Sequence, residues 1–309
     1  MTAIAEHPMD GFPVRPLQFD LDKAASNCVW SRTCPEFSVF INALGIHVPY
    51  FERYLIASMR KAKPEVRDEK LLRDMAAING QEAHHAKNFV HWNQVLASRY
   101  PKVPKLDQEA REYFSSHAKS DSLRKLVGFT AGYETFTFLA GMIIFRNYQR
   151  WFADSDPVVK ALWVWHQVEE VEHGSVAFDV YKYLYGDDEL YRKWMILASL
   201  LHIATETTKA YTHMAKVEGW LRLRNPFKAV SCMAFCFAML LRFLKAALPV
   251  FRKSYQPRNH PLVTTKQDPI QIAWRRYYQT DGADVLEIDR EKMATIMGLS
   301  STAEPVLAA

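Results

Sequence analysis

Between Leu126 and Phe145 the chain runs for twenty residues with one charged side chain, Glu134, near the middle. An ionised carboxylate in such a segment is costly unless a cation or a hydrogen-bond donor meets it. Two arrangements satisfy that demand: a membrane-crossing helix, or the core helix of a globular protein whose glutamate faces something positive. The rest of the chain favours the second. A lone Glu52 is followed by Glu82-x-x-His85, and the lone Glu134 is followed by Glu170-x-x-His173. Glu52 and Glu134 are 82 residues apart, and Glu82 and Glu170 are 88 apart. Two helical hairpins of similar length therefore present equivalent groups.

On a helix, residues three or four apart share a face. Glu82 and His85 point the same way, whereas His84 lies about 200° round from Glu82. In the second hairpin His166, Glu170 and His173 make one stripe. Glu169 is three residues after His166 and four before His173, so spacing leaves Glu169 and Glu170 both open as the ligand. Two Glu-x-x-His motifs are unremarkable on count alone in a chain of this composition; the matched set, with its charge in an apolar helix, is the signal. Four carboxylates and two imidazoles from four helices form the donor set of a dinuclear site in a helical bundle. Mixed nitrogen and oxygen donors suit iron, manganese or zinc, and no cysteine joins them.

The 309 residues, 49% apolar, suit one globular domain with appended segments. Residues 1–35 are Pro-punctuated and read as an arm; 36–187 hold the four-helix unit; 188–254 hold additional apolar and basic helices; 255–309 read as a tail with a short helix near Ile270–Gln279. Apolar spacing predicts helices over 36–62, 66–99, 107–117, 122–151, 157–185, 188–219 and 226–254. Asp156 or Ser155 caps the helix that opens with Pro157, and Gly186 stops it. With no strand pattern of useful length, the fold class is all-α. Cys28, Cys34, Cys232 and Cys236 show neither a disulfide framework nor zinc spacing. The N-terminal residues do not read as a secretory signal, so a cytoplasmic location is expected.

No acidic residue occurs between Glu218 and Asp268, yet nine lysines and arginines fall there. Such a one-sign stretch suggests an anionic partner or surface. Its uncharged run, Ala229–Leu241, is thirteen residues long, short of the roughly 20 needed to span a bilayer. Residues 219–258 are therefore a candidate contact with the inner membrane surface, with packing on the bundle or a homodimer as alternatives. No nucleic-acid motif accompanies the basic residues, and none is expected to bind.

At the motif residues the chain resembles the ferritin-like di-iron carboxylate proteins, whose pattern is Glu, Glu-x-x-His, Glu, Glu-x-x-His. More closely it resembles a bacterial family provisionally described as predicted metal-dependent hydrolases, through Gly80–His85, Gly132–Glu134, Trp165–His173 and Val176–Asp179. The run His166-x-x-x-Glu170-x-x-His173 is similar to the extra-histidine variant of di-iron arylamine N-oxygenases. These resemblances imply a ferritin-like four-helix bundle with additional C-terminal helices. They imply the ligands Glu52, Glu82, His85, Glu134, Glu170 and His173, with His166 as a seventh, and select Glu170 over Glu169. The alternative for His166 is an aromatic-flanked core histidine.

Glu169, His202 and Glu206 are candidates to orient the ligands, since metal-bound histidines need an outer acceptor. Tyr50, Tyr133, Phe136 and Phe138 are candidate pocket residues. The function expected first is an O2-activating oxidoreductase with two metal ions, iron before manganese or zinc, and dioxygen as co-substrate. Because no flavin or nicotinamide fingerprint is present, an external electron donor (a ferredoxin or reductase) is implied. The alternatives are a hydrolase activating a water between two metals, and a non-catalytic iron-binding or membrane-associated protein.

Overall fold

Local capping chemistry sets where most of the long helices start. In the computed structural model, which describes residues 7–263 apart from 25, 26, 187 and 223, together with 287–288, α1 is Leu21–Ala24, α2 Pro35–Gly45, α3 Val48–Ala62, α4 Glu69–Arg99, α5 Val103–Ser120 and α6 Leu123–Arg146. They are followed by α7 Tyr148–Phe152, α8 Pro157–His173, α9 Val176–Tyr185, α10 Glu189–Val217 and α11 Pro226–Ala247. Side chains of Asp68, Ser122, Asp156, Asp188 and Asn225 accept from first-turn N–H groups of α4, α6, α8, α10 and α11. Gly186, with φ of +54°, follows α9 as expected. The fold is all-α; among the described residues, extended pairing is limited to Gln18–Phe19 beside Glu287–Ile288, in parallel, and an isolated antiparallel bridge between Ser31 and Ser155.

Three expected helices are broken. The segment 122–151 divides at Asn147, whose backbone (φ −115°, ψ 16°) leaves the helical region between α6 and α7. The segment 36–62 divides into α2 and α3, with Pro49 in the first turn of α3, where its missing N–H leaves nothing unpaired. The segment 157–185 divides at Gly174 and Ser175, where the ring of Phe138 presses so closely that a Cβ on Gly174 would lie 2.9 Å from it. The short helix expected near Ile270–Gln279, and most of the 255–309 tail, lie outside the described residues.

Helices α3, α4, α8 and α6 pack on one another in a closed cycle. Both α10 and α11 pack on α6 and α2, α5 lies against α3 and α4, and α9 against α6 and α4. Buried apolar side chains form two separate clusters. Phe89 and Trp165 from one, and Phe12 from the other, all meet histidines of the four-helix cycle, which places the polar centre at the seam. Although α6 is long and apolar enough to cross a membrane, it is almost wholly buried inside the protein.

Candidate metal centre

The four-helix cycle delivers its charged side chains inward. Glu52 comes from α3, Glu82 and His85 from α4, Glu134 from α6, and His166, Glu170 and His173 from α8. Each is at most 2% exposed. Glu170 is the hub: its Oε1 lies 3.1 Å from His166 Nε2 and its Oε2 lies 3.4 Å from His173 Nε2. Glu52 Oε1 is 3.2 Å from His166 Nε2. Glu82 also spans the cluster, with Oε2 3.2 Å from His85 Nδ1 and Oε1 3.2 Å from His173 Nε2. Glu134 Oε2 sits 3.3 Å from the same His173 nitrogen.

Two overlapping donor groups result. Glu52, His85, His166 and Glu170 make one, and Glu82, Glu170 and His173 the other; within each, one ligand atom per residue lies within 4.8 Å of all the rest. Glu52 Oε2, Glu82 Oε1, Glu134 Oε2, Glu170 Oε2 and His173 Nε2 are buried and lack a hydrogen-bond partner. Buried polar atoms are normally satisfied, and buried charges above all. A pair of divalent cations answers this, because their charge balances four carboxylates and the orphaned atoms become donors. The residues present fit two such ions, with Glu170 and Glu82 placed to be shared.

The electrostatics carry the same message. Burial, reinforced by Glu82, pushes the Glu52 carboxyl well above its ordinary range despite His166. Burial and the neighbouring Glu170 raise Glu134 to about 8. Burial opposes charge on Glu170 too, but His166 and His173 hold it well below the usual range. Burial would lower the imidazoles, yet bonds to Glu169 and Glu82 raise His85 to about 9. Against the same burial, Glu170 raises His166, and Glu170 with Glu82 raises His173 far above its ordinary value. Without metal, protons offset the crowded carboxylates, and metal binding must displace them.

A second layer fixes which nitrogen faces inward. His85 turns Nδ1 to the cluster and Nε2 to Glu169, 2.8 Å away. Arg15 Nη1 reaches Glu169 at 2.7 Å and Glu172 at 2.8 Å, while Nη2 reaches Glu172 at 2.9 Å. His173 Nδ1 lies 2.9 Å from Gln81 Oε1, so an Nδ1–H donates there and leaves Nε2 free to bind metal. Gln81 Nε2 donates to the Pro13 carbonyl and to Glu172. His166 Nδ1 lies 2.8 Å from the Gln167 amide nitrogen. A metal at Nε2 requires Nδ1–H, which turns that amide round; nothing is lost elsewhere, because Gln167 Oε1 has no partner.

The structure separates the two adjacent glutamates that spacing left open: Glu170 enters the cluster, while Glu169 lies outside it and holds His85. His202 and Glu206 do not contact the ligands. His202 stacks on Tyr113 and lies 3.4 Å from the Tyr133 hydroxyl, and Glu206 pairs with Lys209 on α10. The expected pocket residues are displaced as well. Tyr50 donates to Asp107, Tyr133 stacks on Phe51, and Phe136 and Phe138 belong to the apolar core, Phe138 against His260. Phe89 and Trp163 instead wall His166, Trp165 walls His85, and Phe12 meets His173 edge-on.

Arg15, Gln81, Gln167 and Glu172 escaped the sequence reading. One signal pointed to Arg15: α8 carries Glu169 and Glu172 beside Glu170 among apolar residues, and with Glu52, Glu82 and Glu134 these make six carboxylates against the four positive charges of two divalent ions.

An all-α protein that buries a charge-matched cage of carboxylates and imidazoles is of the metal-dependent class. Residues 13–261, which include Arg15 and every residue of the cage, match the family described as predicted metal-dependent hydrolase. The chain belongs to that family. Neither the curated proteins nor the solved structures yield a match.

Proposed function

We propose that the chain holds two iron ions between α3, α4, α6 and α8, in the manner of the ferritin-like carboxylate proteins, and oxidises a small apolar organic substrate with dioxygen as co-substrate. Bound iron supplies the electrons for dioxygen reduction, which an external ferredoxin or reductase must replenish. Glu52, His85 and His166 would hold one ion and Glu134 and His173 the other, with Glu82 and Glu170 lying between the two groups. The four carboxylates would balance the positive charge of the ions. Glu169, Gln81 and Gln167 keep each imidazole in register. The observation that carries this reading is the seven-donor cage, closed from water and walled by Phe12, Phe89, Trp163 and Trp165. Such walls favour an apolar reactant over a hydrated one.

The family description favours a second reading, hydrolysis with two divalent ions. Metal analysis of protein from its native host, followed by anaerobic reduction and exposure to oxygen, separates the two. Two irons per chain and iron-dependent oxygen uptake are expected. Zinc or manganese, with ester turnover indifferent to oxygen, would establish the hydrolase instead.

A further inference from the structure

Helix α11 has two unlike faces. Cys232, Met239, Ala246 and Ala247 are buried where it packs on α2 and α6. The other face exposes Phe227, Val230, Met233, Phe237 and Leu244, and Leu248 just past its end continues the row, at 88, 58, 62, 62, 44 and 69%. Their spacings of three, four and seven residues place them in one stripe. Soluble proteins seldom leave such a continuous row of large apolar side chains uncovered. Exposed Arg222 and Arg224 precede the helix, exposed Arg252 and Lys253 follow it, and exposed Lys245 lies within it; no carboxylate occurs from 219 to 267.

We propose that α11 lies flat on an anionic lipid bilayer, its stripe sunk among the upper acyl chains and its flanking basic groups against lipid phosphates. The charge pattern selects this occupant over a second copy of the chain. Two-fold pairing along α11 sets Arg222 and Arg224 against themselves, or against Arg252 and Lys253, with no acid from the helix to offset them. The buried opposite face and Lys245 keep the helix in the plane of the membrane rather than across it. An apolar face with basic residues at the headgroups is the pattern of interfacial helices.

The test is co-sedimentation of the full-length protein with vesicles of phosphatidylglycerol and phosphatidylcholine, and with phosphatidylcholine alone. Binding is expected only with the anionic vesicles, and it weakens as salt approaches about 0.5 M. Each basic side chain near such a surface contributes roughly fivefold, so the Arg252→Gln, Lys253→Gln double variant is expected to bind about 30-fold more weakly. Met233→Glu with Phe237→Glu is expected to abolish binding while circular dichroism and metal content stay as in the parent, since both positions face solvent. Failure of the folded parent to bind anionic vesicles overturns the proposal, as does binding that survives Met233→Glu with Phe237→Glu. A dimer broken by that same pair, in a protein that ignores vesicles, would assign the stripe to a second copy.

Discussion

Arg15 stands 154 and 157 residues before the glutamates it holds, yet its guanidinium is wholly buried between them. Its work is electrostatic and geometric at once: it compensates Glu169 and Glu172, and through Glu169 it fixes His85. Replacing one partner of a buried ion cluster leaves charge uncompensated, which destabilises by about 3–5 kcal/mol. Arg15→Met is therefore expected to lower the unfolding free energy by that amount in urea titrations. The variant keeps Glu169 but removes the cation that fixes it; mutation of such outer partners typically weakens metal affinity about 10–100-fold, and a competition titration with a chromogenic chelator reads this. Unchanged affinity would mean that Glu169 holds His85 without help. Glu134→Gln acts with the opposite sign on the metal-free protein. Glu134 Oε2 is buried without a hydrogen-bond partner and its carboxyl is pushed up to about 8. An amide of the same shape removes the like-charge burden, so the metal-free variant is expected to be as stable as the parent or more so. Elemental analysis should nonetheless find its metal content falling from two ions per chain toward one; retention of two would remove Glu134 from the ligand set.

At the scale of elements, α6 is held by close approach as well as by apolar burial. A Cβ on Gly132 would lie 2.6 Å from Ser199 Oγ and 2.8 Å from the Met195 carbonyl oxygen, so α10 rides directly on the backbone of α6. A carbonyl inside a helix cannot swing aside as a flexible side chain does. Gly132→Ala is expected to part the two helices and destabilise by about 1–3 kcal/mol, visible as a lower denaturant midpoint with an unchanged slope. Helix existence and the ligand stripe were legible because both are periodic in sequence. Helix continuity was not: apolar spacing runs on past Gly45 and Gly174, and the breaks there accompany rings pressed close, Trp163 on Gly45 and Phe138 on Gly174. Such long-range contacts leave no local trace. Tyr133 fails as a pocket residue for a simpler reason. Its neighbour Glu134 points into the cage, and adjacent helical positions face directions about 100° apart, so Tyr133 turns to Phe51 instead. Arg15 lies in an irregular arm with no periodicity to place it, and only the surplus acid on α8 announced that a buried cation was required.

For the molecule as a whole, two titrations of stability run in different directions. Metal binds the assembled cage and not the unfolded chain, so an excess of about 100 times the dissociation constant adds about 2.7 kcal/mol. Chelation is expected to lower the thermal midpoint, and added metal to restore it; a midpoint indifferent to both would show that the cage stands without ions. Acid acts elsewhere. His47 is buried with Nε2 unpartnered, and burial, aided by His202, holds its imidazole down at about 3. Burial likewise holds His202 at about 4. In the unfolded chain both return to about 6.5. Between the two values the unfolded state takes up protons that the native state refuses, so their contribution is intact above pH 6.5 and shrinks as pH falls toward 4 and 3. At pH 5 the His47 share of that loss is about 2 kcal/mol. The cage histidines titrate the other way, so the informative quantity is the difference between His47→Gln and the parent, both stripped of metal. The stability gap between them is expected to shift in favour of the variant by about 2 kcal/mol when pH drops from 7.5 to 5. A gap that stays constant across that range would mean that His47 takes up its proton in the folded protein as readily as in the unfolded chain, although it is buried against the rings of Tyr133 and His202.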